Sequence, residues 1–175
     1  MKIRRFIPIF LSVVFATAIF TACKVSYSFT GANISPTVKT FSVYYFPNRA
    51  RLVNPNLTQQ FTEGPDGLQN KLIRQTSLNQ VSEGGDLEFS GQITDYDMKP
   101  MNIQQGDLAA LNRLTVTVKV KFVNNKDHTQ DWEKSFSQYE DFESTQSLSN
   151  VEDNLVTEIV KKLADDIFNA SVANW

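Results

Sequence analysis

Cysteine occurs once in this chain of 175 residues, and histidine occurs once. A single cysteine excludes an internal disulfide. The same two counts exclude a histidine- or cysteine-based metal cluster. The fold is therefore expected to rest on hydrophobic burial and backbone pairing alone. The one histidine, His128, sits in a polar run, whereas a Ser-His-Asp centre needs its ring in a structured pocket beside a nucleophile from another segment. An excess of positive charge is also missing. The 17 Lys and Arg are outnumbered by 19 Asp and Glu and form no dense cluster, which argues against nucleic acid as a partner. There is no internal repeat and no low-complexity tract. Gly84-Gly85 reads as a turn, because no GxGxxG or GxxxxGK follows a strand.

What is present begins at the N-terminus. Lys2, Arg4 and Arg5 precede an apolar run from Phe6 to Phe20, followed by Thr21, Ala22 and Cys23. A basic head, an apolar middle and small residues make a secretory signal. The run is shorter than the about 20 apolar residues that span a bilayer, and no later run approaches that length. Small residues directly before a cysteine look like a bacterial lipobox, with Phe20 where leucine is usual. On this reading the chain is cut between Ala22 and Cys23, and Cys23 carries covalent lipid. Acyl burial contributes about 0.8 kcal/mol per CH₂, and one chain alone holds only marginally, so two or three on one residue give a lasting anchor.

Residues 1–22 are thus a signal peptide, residues 23–36 a lipidated tether, and residues 37–175 a single domain. Cleavage leaves 153 residues, removes three basic and no acidic ones, and so leaves a net charge of −5. That length is enough for a real core.

Val38 to Phe46 reads as a strand with apolar groups on both faces: Val38, Thr40, Ser42, Tyr44 and Phe46 on one, Phe41, Val43 and Tyr45 on the other. A strand well inside the sheet fits that pattern. A helix is expected to start around Asn54 to Asn56, with Pro55 suited to a first turn. Leu57, Phe61, Leu68 and Leu72 then recur at helical spacing. Gly64-Pro65 interrupts them, so a kink or two short helices is expected. After a turn at Ser82 to Asp86, Leu87 to Thr94 alternates as a strand and continues less regularly to Pro100. Asn102 to Asp107 is a loop. Leu114 to Phe122 gives the cleanest alternation, Asn124 to His128 a hairpin loop, and Trp132 to Tyr139 the returning strand with Trp132 and Phe136 inward. Ser149 to Glu152 has capping-box spacing. Val151, Leu155, Ile159, Leu163 and Ile167 then form an amphipathic stripe, with Asp165 and Asp166 on the opposite side. The expected order is β-α-β-β-β-α: an α+β domain with two helices on one face of a four-stranded, mainly antiparallel sheet.

No catalytic constellation emerges. Asp95 and Asp97 share a face, yet no apolar surroundings separate their pKa values for acid and base work. Two features stay open. The outward sheet face, rich in Ser, Thr and Gln with occasional Lys, is either a water-facing side or a partner surface. Arg49 and Arg51, in the Pro47 to Pro55 loop, are either solvated or recognise an anionic headgroup or a partner carboxylate. Arg113 joins them as a candidate on charge alone.

The runs Val43 to Ala50 and Leu52 to Pro55 resemble the LptE family of Bacteroidetes. So do Ala110 to Val116, Phe136 to Tyr139, Val151 to Asp153 and the terminal Asn174-Trp175. These matches span most of the mature chain. One departure is Gly64-Pro65, where family members usually continue the first helix. The resemblance implies a non-enzymatic lipopolysaccharide-assembly lipoprotein without metal or cofactor, apart from the covalent lipid on Cys23. It implies a place in and under the outer-membrane β-barrel LptD, as plug and assembly factor, helping lipopolysaccharide reach the outer leaflet. The polar sheet face would suit the polar interior of a barrel. The alternative from the residues alone is a stand-alone periplasmic ligand-binding lipoprotein, which requires an enclosed apolar pocket between helix and sheet.

Overall fold

The structure is a computed structural model and describes residues 34–52, 54–101 and 110–173. In chain order it contains β1 (Thr40–Val43), α1 (Leu57–Glu63), α2 (Leu68–Gln75), β2 (Asn79–Gln80), β3 (Leu87–Met101), β4 (Leu111–Asn124), β5 (Trp132–Glu143) and α3 (Leu148–Phe168). The strands form one sheet in the order β2-β1-β3-β4-β5. β1 runs parallel to both β2 and β3, while β3, β4 and β5 are antiparallel. The four-stranded, mainly antiparallel expectation is therefore corrected to a mixed sheet of five strands. The added strand, β2, has two residues, too few to show any periodicity in sequence.

The alternation in β4 decides which face is covered. Leu114, Val116, Val118 and Val120 are fully buried and Phe122 nearly so. Each such side chain contributes about 1.5–3 kcal/mol when removed from water. Their partners Phe89 and Ile93 of β3 face the same way. Over them lie Leu57 and Phe61 of α1, Leu68 and Leu72 of α2, and Ile159, Leu163 and Ile167 of α3, all fully buried. The stripe on α3 is thus the one read from sequence. Asp165 and Asp166 do not point away from the protein, as expected, but flank the stripe. Asp165 pairs with Lys71 of α2, and Asp166 accepts from the amide of Gln138 in β5.

The first helical stretch is broken in two, and the break has a local cause. Pro65 has no amide to continue α1, which leaves carbonyls without helical partners. Side chains of the next helix take them. Asn70 donates to the carbonyls of Glu63 and Gly64, each at 2.9 Å, and Arg74 donates to that of Pro65.

Beyond Val43 the chain leaves regular strand geometry, and the side-chain parity changes with it. Phe46 is fully buried alongside Phe41 and Val43, while Tyr45 is 73% exposed. This reverses the faces expected for residues 45 and 46. Phe46 makes an edge-on contact with Phe61 at 5.0 Å. It also occupies space freed by Gly91, where a Cβ would lie 2.7 Å from the Phe46 ring and collide with the Lys119 carbonyl.

The segment after β2 crosses β1 on the side away from the helices. Gly84 adopts a left-handed conformation, φ +66°, that side chains rarely take. Gly85 passes so close to β1 that a Cβ would lie 2.6 Å from the backbone of Phe41 and Ser42. Asp86 then ties three elements together. Its carboxylate accepts from the amides of Lys39 at 2.7 Å and Thr40 at 3.0 Å, and pairs with Lys126 of the β4–β5 turn at 2.9 Å.

The capping-box expectation is corrected. α3 begins at Leu148 with Ser147 as N-cap and no capping side-chain bond. Glu152 is committed elsewhere: its carboxylate accepts from the buried hydroxyl of Tyr96 and, at 2.8 Å, from Asn54. That bond and burial raise the Tyr96 pKa, burial being the larger cause. The cluster fastens the segment before α1 to β3 and to the start of α3.

Candidate functional site

The uncovered face of β3, β4 and β5 is built rung by rung. Because Leu114 to Phe122 put alternate residues into the core, Arg113, Thr115, Thr117, Lys119 and Lys121 point the other way. Opposite them on β5 stand Asp141, Tyr139, Ser137, Ser135 and Glu133, and on β3 stand Lys99, Asp97, Asp95, Gln92 and Ser90. Thr117 and Ser137 exchange a hydroxyl hydrogen bond at 3.0 Å. Ion pairs cross the face at Lys119–Glu133 and Arg113–Asp141, and Lys99 pairs with Asp97 along β3 at 2.7 Å. The expectation of an outward face with few charges is corrected: the charges are there, and several are paired, across strands at Arg113–Asp141 and Lys119–Glu133 and along β3 at Lys99–Asp97.

The three candidate arginines fall into two kinds. Arg113 is committed. Its guanidinium donates twice to Asp141, at 2.7 and 2.9 Å, and stacks on the Tyr139 ring at 3.6 Å. The Asp141 bond raises the pKa of Arg113 and lowers that of Asp141. Arg49 and Arg51 are exposed. Among the described residues neither takes part in an ion pair. Arg51 lies within electrostatic reach of Asp97, whose carboxyl is lowered first by its bond to Lys99. Arg113 and Arg51 stand toward the end of the sheet where β3 finishes, Arg49 lies beside Ile93 midway along β3, and of the three only Arg49 and Arg51 lack an ion pair among the described residues.

The backbone carrying those two is fixed. The Arg49 amide donates to the Ile93 carbonyl at 2.8 Å, and the Ile93 amide donates to the Pro47 carbonyl at 3.0 Å. Asn48 accepts from the Ala50 amide at 2.9 Å. Phe46 and Ala50 are buried on either side. Tyr45 and Leu52, 73% and 47% exposed, frame the arginines. Sequence reasoning identified the arginines and missed the exposed Tyr45, because the change in parity after Val43 leaves no trace in the pattern.

The remaining candidates are structural. Asp97 is a salt-bridged surface carboxylate, with Asp95 across from Thr117 after a bulge in β3. His128 lies in a short 3₁₀ turn and bonds Asp131 at 2.9 Å. Among the described residues no group of His, Cys, Asp and Glu could hold a metal ion, and no helix is long and apolar enough to cross a membrane. A cleft of about 440 Å³ opens between β5 and α3, lined by Gln138, Glu140, Lys162 and Asp166 among others. Ala22 and Cys23, and with them the expected cleavage and lipidation site, lie outside the described residues, as do most of the tether, the 102–107 loop and Asn174-Trp175.

A model of the LptE family, described as lipopolysaccharide-assembly, matches residues 38–171. The chain belongs to that family. The matched stretch runs from just before β1 to just past α3, so it takes in all five strands and all three α-helices of the described residues. No curated protein sequence matches the chain. Among solved structures, this LptE-family chain is similar to the hypothetical protein CT253 of Chlamydia trachomatis. The identity is 8%, 78% of this chain and 99% of that one are covered, and the TM-score is 0.52. It is also similar to the rare lipoprotein B of Shewanella oneidensis (14% identity, 75% and 92% covered, TM-score 0.46). A minor lipoprotein of Acinetobacter baumannii stands at 14% identity, 75% and 90% covered, and TM-score 0.45. At 8% identity the likeness to CT253 is one of fold.

Proposed function

We propose that this LptE-family protein is a lipid-anchored, non-enzymatic subunit of an outer-membrane lipopolysaccharide translocon. It acts as plug and assembly factor for the β-barrel LptD on the periplasmic side of the membrane or within the barrel lumen. The observation that carries this reading is the family match over residues 38–171, which follows the expected signal of residues 1–22 and the short tether that begins at Cys23. Lipid on Cys23 fixes the protein to the membrane, and the domain supplies the surface for the partner.

The geometry is in keeping with that role. The uncovered sheet face presents hydroxyls, amides and charges already matched by ion pairs such as Arg113–Asp141. A face of that kind keeps its polar groups satisfied inside a water-filled, polar barrel. A stand-alone ligand-binding lipoprotein would instead need an apolar cavity between helices and sheet. That space is filled by Phe46, Leu57, Phe61, Leu72, Phe89, Ile159 and Leu163, all fully buried. Charged Arg113, Asp97 and Asp141 are held in bonds that keep them ionised, which suits a scaffold more than a proton-transfer site.

Depleting the protein from living cells tests the reading. The expected result is loss of newly made lipopolysaccharide from the outer leaflet together with reduced barrel protein. Unchanged surface lipopolysaccharide after depletion would overturn it.

A further inference from the structure

We infer that the strip Tyr45 to Leu52 is the contact surface for the partner protein, with Arg49 and Arg51 seated against acidic side chains of that partner. This deepens the assembly reading above and rests on it.

Three observations lead there. The first is charge. The chain is net negative, and Lys99, Arg113 and Lys119 on the sheet each have a carboxylate partner. Arg49 and Arg51 do not: both are exposed, two residues apart, and without an ion-pair partner among the described residues. Positive charge left unmatched on an otherwise acidic molecule is complementary to an acidic surface, and guanidinium groups match carboxylates in two-point geometry.

The second is composition. Tyr45 at 73% and Leu52 at 47% exposure bracket the arginines. Tyrosine and arginine are among the residues enriched where binding energy concentrates in protein interfaces. Tyr45 projects as a knob instead of lining a hollow, so it fits a depression on a protein better than it holds an acyl chain.

The third is preorganisation. Two backbone bonds to Ile93 and the buried anchors Phe46 and Ala50 hold the strip before any partner arrives. Binding then orders little beyond the side chains themselves.

The test uses the full-length, tagged chain with Cys23 intact, expressed in its own cells and recovered from gently solubilised outer membrane. Barrel protein per lipoprotein is measured by mass analysis for wild type, Arg49→Glu/Arg51→Glu, Arg49→Lys/Arg51→Lys, Tyr45→Ala and Arg113→Gln. The expected result is at least a tenfold loss for the charge reversal, partial retention for the lysine pair, several-fold loss for Tyr45→Ala, and retention for Arg113→Gln. Thermal melting of each variant checks folding; if the reversal melts early, Arg49→Gln/Arg51→Gln takes its place. Equal barrel recovery by the reversed variant overturns the inference and leaves the assembly reading standing. A reversed variant that keeps the barrel but no longer binds vesicles containing lipopolysaccharide also overturns it, and assigns the strip to an anionic lipid. If the wild type itself recovers no barrel, the assembly reading falls and the inference with it.

Discussion

Asp86 offers a sharp test of how the domain is held together. Its carboxylate accepts from the amides of Lys39 and Thr40 and pairs with Lys126. Those bonds, the one to Lys126 the largest, lower its pKa from 3.8 to about 2. In the unfolded chain the group titrates near 3.9, so between these values the unfolded state binds more protons than the folded one. The contribution is therefore fully present above about pH 5 and lost as pH falls through about 2. At 1.36 kcal/mol per pH unit the shift corresponds to about 2.5 kcal/mol. The side chain is 16% exposed, so salt screening trims this to about 2 kcal/mol. Asp86→Asn keeps the shape and one acceptor oxygen but removes the charge. Urea unfolding of wild type and variant at pH 7, 4 and 2 should show a gap of about 2 kcal/mol at pH 7 that nearly closes at pH 2. A gap below about 0.5 kcal/mol at pH 7, the median worth of an exposed pair, would refute the clamp. A gap that does not change with pH would refute its electrostatic origin.

Three further outcomes are expected. Val116→Asp places an unpaired carboxylate where the side chain is fully buried; the cost should be several kcal/mol, and unchanged thermal melting would mean the faces of β4 are misassigned. Gly91→Ala should destabilise by about 1–3 kcal/mol through overpacking, and trimming Phe46 should not restore it, because the Lys119 carbonyl also stands in the way. Full rescue by Phe46→Leu in a melting experiment would show that the backbone contact is unimportant. Cys23→Ala should give a folded protein lost from the membrane fraction; if it stays firmly bound, the partner and not the lipid supplies the anchoring.

The parts of the fold that were legible share a property: their signal is local. The two-residue alternation of β4 and the four-residue stripe of α3 need only one element and one buried face. Gly64-Pro65 broke the first helix for a reason internal to proline. What escaped depends on register between distant segments. β2 is a strand only because Asn79 and Gln80 lie beside Thr40 and Phe41. Glu152 looked like a capping residue, but tertiary partners Tyr96 and Asn54 outbid the local bond. Arg113 seemed as free as Arg49 and Arg51 until strand pairing set Asp141 opposite it. The ion pairs Arg113–Asp141 and Lys119–Glu133 on the open face escaped for the same reason, since they join strands that the sequence reads one at a time.

These observations describe a domain with one face committed to its own core and another finished in matched polar groups. One preorganised strip carries Arg49 and Arg51, neither of which has an ion pair among the described residues. The proposed role, the lipoprotein half of a barrel complex, is tested most directly by purifying the tagged wild-type protein from gently solubilised outer membrane and weighing the intact assembly. A large β-barrel in near-equal amount is the expected result. Recovery of the lipoprotein alone, under detergent that preserves other barrel complexes, would contradict it.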